Sequence, residues 1–307
     1  MASDLIVGDI VNEMRVAEGG FPKDNGELPD DKPYDGLLAG DLKAPVTGIA
    51  VAWSPELGVL KQALAHGCNL VLARDPLYWY DDPDLNKSAP YWEDSVPEGT
   101  AGPTKWDVIE KSKFYQTKRD FIASSKINVI RISTNWNGPS GLATRGLVNA
   151  LGWKATEEFV ADEQFSQARA AIVTLPADQL INIAQHAKKS VNAKSVRVIG
   201  ERSAKISKVV VYPGFMTLLA ATRIWQTPGL DAVITGESCE WLGVVYAEDA
   251  ISAGRSKGFI MLGLAAAADA SGKEVAAWVS SLHPDAKVQF IPVGDPFIPI
   301  MAGGLRA

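Results

Sequence analysis

The chain has 307 residues, 47% of them hydrophobic and 21% charged, the mix of a folded protein rather than a disordered or fibrous one. Thirty-six acidic against 30 basic side chains give a net charge of −6, so nucleic acid is not the expected partner. Two cysteines, Cys68 and Cys239, exclude a disulfide scaffold, and no stretch nears the roughly 20 apolar residues of a membrane span. The opening Met1-Ala2-Ser3-Asp4-Leu5 lacks the basic and apolar regions of a signal peptide, so a cytoplasmic location without membrane contact is expected.

Along the chain, apolar runs alternate with helical periods. Strand-like runs cover residues 46–53, 70–73, 127–132, 196–199, 208–212, 232–235 and 259–262. Their Val, Ile and Leu content without strict alternation predicts strands buried on both faces. Helical patterns cover residues 56–65, 107–125, 177–189, 217–225 and 247–256. Strand, helix and strand in succession predict α/β units. The rhythm breaks over residues 80–105, where Pro83, Pro90, Pro97 and Pro103 mark a long aromatic-rich insertion.

The sequence repeats itself weakly. Asn69-Leu70-Val71-Leu72-Ala73-Arg74-Asp75 lies on Asp231-Ala232-Val233-Ile234-Thr235-Gly236-Glu237, each run following a helix and a glycine. Upstream, Gly48 to Trp53 lies on Lys208 to Tyr212; downstream, Ile127 to Asn137 lies on Phe259 to Asp269. Identity is low, so a chance match of generic strand–helix–strand units competes with true duplication. The expected plan is two similar α/β lobes. The first spans 1–150 with an insertion at 80–105, a connecting α/β segment and the start of the second lobe span 151–230, and 231–307 complete the second lobe. Duplication would bring Asp75, Glu237, Asn137 and Asp269 to equivalent strand ends facing a central cleft, where parallel sheets bind ligands.

Only three histidines are present, His66, His186 and His283, well apart, which disfavours most zinc and two-metal chemistry. Cys239 is either a nucleophile without a nearby histidine or, more simply, an inert thiol, and Cys68 reads as core. His66 suits the end of a helix, and Gly138-Pro139-Ser140-Gly141 reads as a turn. Tyr78, Trp79, Tyr80, Tyr91, Trp92 and Trp136 are equally a pocket for a ring-bearing ligand or an oligomer contact.

The same residues carry a family resemblance. Tyr34-Asp35-Gly36-Leu37-Leu38-Ala39-Gly40, Leu70 to Leu77, Ile132-Ser133-Thr134-Asn135-Trp136-Asn137 and Val233-Ile234-Thr235-Gly236-Glu237 resemble elements of the Nif-three-like dinuclear-metal family, also labelled the GTP cyclohydrolase I type two family. The resemblance implies its two-lobed fold, a homo-oligomer of hexamer type, and a small-molecule ligand. That family holds two metals on a histidine pair, an aspartate, a later histidine and a glutamate. Here the matching positions carry Arg74, Asp75, Asn137, Ala265 and Asp269, so the resemblance implies a rebuilt site. A guanidinium cannot ligate and repels a cation, so no cofactor is expected. A single hard cation on Asp75, Asn137 and Asp269 is the alternative.

Arg74, Asp75, Glu237 and Asp269 are the candidate catalytic residues, dividing acid and base work while Arg74 steadies negative charge. Ser133, Asn135, Asn137, Tyr78 and Trp136 are the candidate substrate contacts. Two functions follow. One is an enzyme, of hydrolase or lyase and isomerase type, acting on a small polar or heterocyclic molecule. The other is a non-catalytic ring-forming scaffold or ligand-binding protein of the same fold.

Overall fold

The structure is a computed structural model and describes residues 5–17, 35–78, 110–138, 140–162 and 168–300. The insertion over 80–105, with Trp79, Tyr80, Tyr91 and Trp92, lies outside the described residues. The chain divides into two compact units, Met1–Ser133 with Pro284–Ile291 and Thr134–His283 with Pro292–Ala307.

In the first unit, helix α1 (Val7–Ala17) precedes strand β1 (Gly36–Ala39), and β2 (Ile49–Ala52), α2 (Leu57–Ala65), β3 (Leu70–Ala73), α3 (Lys113–Ser125) and β4 (Asn128–Arg131) follow. The strands lie in the order β1-β4-β3-β2-β11, the last being Val288–Phe290 near the far end of the chain. All are parallel except β1, which runs antiparallel to β4. Every residue of β2 and β3 is buried, as expected of strands covered on both faces. Ser112 caps α3 by accepting the N–H of Tyr115, and Lys126 ends it in the left-handed region at φ 55°.

The second unit starts inside the short helix α4 (Ser133–Asn137) and continues through α5 (Leu142–Ala150), β5 (Ala155–Asp162), β6 (Ala168–Gln179), α6 (Leu180–Ser190), β7 (Arg197–Gly200), β8 (Lys205–Phe215), α7 (Leu218–Ile224) and β9 (Ala232–Glu237). A π-helical turn (Glu240–Val244) leads into α8 (Val245–Ser252), then β10 (Gly258–Met261) and α9 (Leu264–Leu282). The sheet order is β5-β6-β8-β9-β10-β7, with β8, β9 and β10 parallel. Side chains alternate between two cores. Val209, Val211, Ile234 and Ile260 face α5, α6 and α9, while Val210, Val233, Phe259 and Met261 join Trp225 and Tyr246 on the opposite face. Helices α5 and α9 touch closely because Gly146 is bare; a Cβ there would meet the Ser271 carbonyl oxygen at 2.7 Å.

Both units repeat one plan. The order β1-β4-β3-β2 in the first is matched by β7-β10-β9-β8 in the second, with the same directions. Equivalent glycines close the antiparallel edge strands. Gly40 (φ +115°) and Gly200 (φ +124°) leave room for the Cα atoms of Asn128 and Gly258, which a Cβ would approach to 2.9 and 3.1 Å. The strand registers set the repeat, because Leu70 pairs with Asn128 as Ala232 pairs with Gly258. Ile127 therefore lies on Lys257 rather than Phe259, and Asn137 falls on Ala267 rather than Asp269. A slip of two residues keeps every side chain on its own face, so apolar pattern alone does not detect it.

Other sequence expectations shift as well. Within residues 151–230, expected to connect the lobes and start the second, β5, β6 and β8 share one sheet with β9 and β10. Residues 177–179, expected as helix, finish strand β6, and the helix begins at Leu180. Among the described residues no helix is long and apolar enough to cross a membrane.

Candidate functional site

Strand β3 delivers Arg74 and Asp75 at its carboxyl end. Both backbone N–H groups donate to the Trp53 carbonyl, at 3.1 and 3.0 Å, which turns the chain out of the sheet. The side chains then meet each other, Arg74 Nη1 lying 2.7 Å from Asp75 Oδ1, both largely enclosed at 19% and 25% exposure. From the neighbouring strand, Arg131 Nε donates to the Arg74 carbonyl at 3.2 Å. The N–H of Ser133 donates to Asp35 Oδ1 at 2.7 Å. Two guanidiniums and two carboxylates thus crowd the ends of β3 and β4. Arg131 was not among the residues singled out from sequence; its only signal was a charge closing an apolar run. The buried indole N–H of Trp53 has no acceptor among the described residues.

Three residues past Asp75, Tyr78 packs tilted against Tyr115, with ring centroids 4.4 Å apart and planes at 38°. Lys118, only 4% exposed, donates to the Leu77 carbonyl and lies 5.7 Å from the centre of the Tyr78 ring. Burial pushes the Tyr78 hydroxyl up to about 12, with Tyr115 adding to it. Burial likewise pulls the Lys118 ammonium down to about 8, against the opposing field of Glu56. Tyr78 is therefore a neutral, anchored ring. Asn135 and Trp136, expected as substrate contacts, are 4% and 1% exposed, and Trp136 is among the largest fully buried side chains. A ring so enclosed packs the interior rather than lining an open pocket. Asn137 is half-buried at the end of α4.

In the second unit Glu237 ends β9 with its side chain exposed, while its carbonyl accepts the N–H of Met216 at 2.8 Å. Asp269 lies in α9, and its two oxygens accept the N–H groups of Val293 (3.1 Å) and Gly294 (2.7 Å). Burial raises its carboxyl, and those two N–H groups hold the rise back. Ala265 is buried in the same helix. Cys239 is half-buried, and burial together with Glu237 pushes its thiol up, away from the thiolate a nucleophile needs. Cys68 is fully buried in the first unit's core, and His66 caps α2 through its backbone N–H. Within each unit, no three His, Cys, Asp or Glu side chains of the described residues gather to hold a metal ion.

By sequence the chain matches no family model and no curated protein. Solved structures resemble it along nearly all of its length. Staphylococcus aureus protein SA1388 matches with a TM-score of 0.69 at 16% identity, covering 97% of this chain and 100% of that one. A Bacillus cereus protein related to NIF3 matches with a TM-score of 0.66 at 16% identity, covering 96% and 99%. Protein ybgI, described as of unknown function, matches with a TM-score of 0.67 at 14% identity, covering 95% and 100%. The chain therefore has the NIF3-like fold. Identities this low establish the architecture and not the chemistry.

Proposed function

We propose that the chain is a divergent relative of NIF3-like proteins that acts on a small polar or heterocyclic molecule at the ends of β3 and β4, without a two-metal centre. The pairing of Arg74 with Asp75 carries this reading, because parallel strands present ligands at their carboxyl ends. The donor set does not fit the metals that the resembled family would hold. Arg74 stands where a ligand is needed, Asp75 is engaged by it, and Asp269 spends both oxygens on backbone N–H groups. No step is therefore drawn through a metal. Arg74 offers a fixed, planar cation to a carboxylate, phosphate or carbonyl oxygen of the substrate, with Arg131 bracing its backbone. Asp75 is the proton acceptor of a hydrolytic, lytic or isomerising reaction. Exposed Glu237 is a second candidate acid or base of the other unit.

A second reading, a non-catalytic ring-forming scaffold or ligand-binding protein, draws support from Phe297, Ile298 and Ile300, which are 69%, 74% and 86% exposed.

The test combines elemental analysis with a ligand screen by thermal shift, on wild type and on Arg74→Ala. Substoichiometric metal and anionic or heterocyclic hits that vanish in Arg74→Ala support the proposal. Two metals per chain, or hits indifferent to Arg74, overturn it.

A further inference from the structure

Trp53 follows the last residue of β2 and Arg74 the last residue of β3, and those last residues, Ala52 and Ala73, pair in register. The two residues therefore leave neighbouring parallel strands side by side, at the end where such sheets bind ligands. The Trp53 carbonyl fixes the turn by accepting the N–H groups of Arg74 and Asp75. Trp53 as a whole is half-buried, yet its indole N–H is buried and has no acceptor among the described residues. A buried donor left unpaired is costly and rare in a folded protein, so its presence calls for a reason. The fold itself does not require the residue. Ile49 pairs with Leu70 as Val209 pairs with Ala232, so in the repeat Trp53 corresponds to Pro213 and Arg74 to Gly236. The second unit builds the same strand ends with neither an indole nor a guanidinium.

We propose that the indole N–H of Trp53 and the guanidinium of Arg74 together hold a carboxylate of the substrate, so that the molecule taken at these strand ends is a small organic acid. This rests on the reading of the site given above and narrows it. Both groups only donate, so a partner they share must be an acceptor. Asp75 Oδ1 engages Nη1 of Arg74 and balances its charge, which suits one further negative charge better than the two of a phosphate. A carboxylate is planar like the guanidinium, and it has two oxygens to divide between the guanidinium and the indole.

The indole N–H resonances of the full chain, carrying isotope-labelled tryptophan and titrated with benzoate, test it. The peak missing from Trp53→Phe belongs to Trp53; if that variant fails to fold, the same peak is assigned through the Trp53 backbone. Benzoate should move it downfield in wild type, and Arg74→Ala should abolish the movement. Trp53→Phe keeps an aromatic ring and loses the N–H, and should bind benzoate at least about fivefold more weakly. Trp225 is the control. Its indole N–H is also unpartnered, but it packs against Tyr246 and Phe259 in the core of the second unit, and its peak should stay in place. A Trp53 peak that benzoate leaves still overturns the inference. If benzoate binding, followed by calorimetry, then still depends on Arg74, the site proposed above stands without Trp53. Movement with inorganic phosphate but not with benzoate overturns the choice of a carboxylate. Benzoate binding indifferent to Arg74→Ala overturns this inference and the reading it rests on together.

Discussion

In each repeat the residue just before the middle strand, β3 or β9, fastens the strand before it through its side chain, and the two units fill this position differently. In the first unit Asn69 accepts the N–H of Thr47 at 2.8 Å and donates to the Pro45 carbonyl at 2.8 Å. In the second, Asp231 accepts the N–H groups of Ser207 and Lys208 and the Ser207 hydroxyl, at 2.9, 3.0 and 2.9 Å, and pairs with Lys257 at 2.6 Å. One scaffold task is done by a neutral amide in one repeat and by a nearly buried carboxylate in the other. The opposite strand ends diverge further: β3 runs into Arg74 and Asp75, while β9 runs into Gly236, exposed Glu237 and a π-helical turn. A repeat that keeps its ladder while exchanging its charges preserves architecture and frees chemistry to change.

Removing the fastening groups should show the largest contrast. Asp231→Ala leaves three donors without an acceptor, while half-exposed Lys257 keeps its bond to the Lys205 carbonyl, at an expected cost of about 3 kcal/mol in denaturant unfolding. Asn69→Ala loses two ordinary hydrogen bonds and should cost about 1–2 kcal/mol. Equal costs would break the comparison. The glycine pair should instead agree. A Cβ on Gly40 would fall 2.9 Å from the Asn128 Cα, and one on Gly200 would fall 2.3 Å from the Lys257 carbonyl oxygen. Both backbones also sit at positive φ, so each Gly→Ala change should cost about 2–3 kcal/mol in the same assay. A harmless Gly40→Ala would mean the equivalence is only apparent.

How far sequence reached follows from the same contrast. Strands β2, β3, β4, β8, β9 and β10 were legible because burial on both faces leaves dense Val, Ile and Leu runs. Strand β5, Ala155-Thr156-Glu157-Glu158-Phe159-Val160-Ala161-Asp162, was missed because its first half is polar and lies at the surface or half-buried. The end of β6 was read as helix because Ala177-Asp178-Gln179 continues without a break into the apolar period of α6. The π-helical turn leaves no periodic trace. It depends on a close local approach, since a Cβ at Gly243 would fall 1.9 Å from Ser238 Oγ. Arg74 and Asp75 were legible as two charges closing an apolar strand. Arg131 closes β4 in the same way, but only the pairing of β3 with β4 shows that it reaches the Arg74 carbonyl.

Acid titration sharpens the first contrast. Burial alone would raise the Asp231 carboxyl, but the bonds from Lys257, Lys208 and Ser207 outweigh it and hold it at about 2, below the ordinary value of 3.8. A carboxyl depressed by folding contributes stability that is fully present above its unfolded value and is lost as pH falls toward 2. The contribution is about 2 kcal/mol. Wild type should therefore lose that amount between about pH 5 and pH 2 relative to Asp231→Asn, with unfolding free energies compared at each pH. Parallel pH profiles for the two proteins would show that Asp231 does not titrate with folding.

The smallest effect is expected where the repeats differ most. Arg74 and Asp75 are joined by one ion pair that keeps about a fifth of each side chain in water, so Arg74→Ala should change stability by no more than about 1 kcal/mol. Asp269→Ala removes a carboxylate that bonds Val293 and Gly294, and should cost about 1–2 kcal/mol in the same measurement. The order of the two values carries the meaning. A carboxylate spent on backbone N–H groups is part of the scaffold, whereas a charge pair that can be removed almost without cost is maintained for something it contacts. An Arg74→Ala penalty close to that of Asp231→Ala would instead make the pair a structural fastening, and the end of β3 would lose its claim to be the place where a substrate is held.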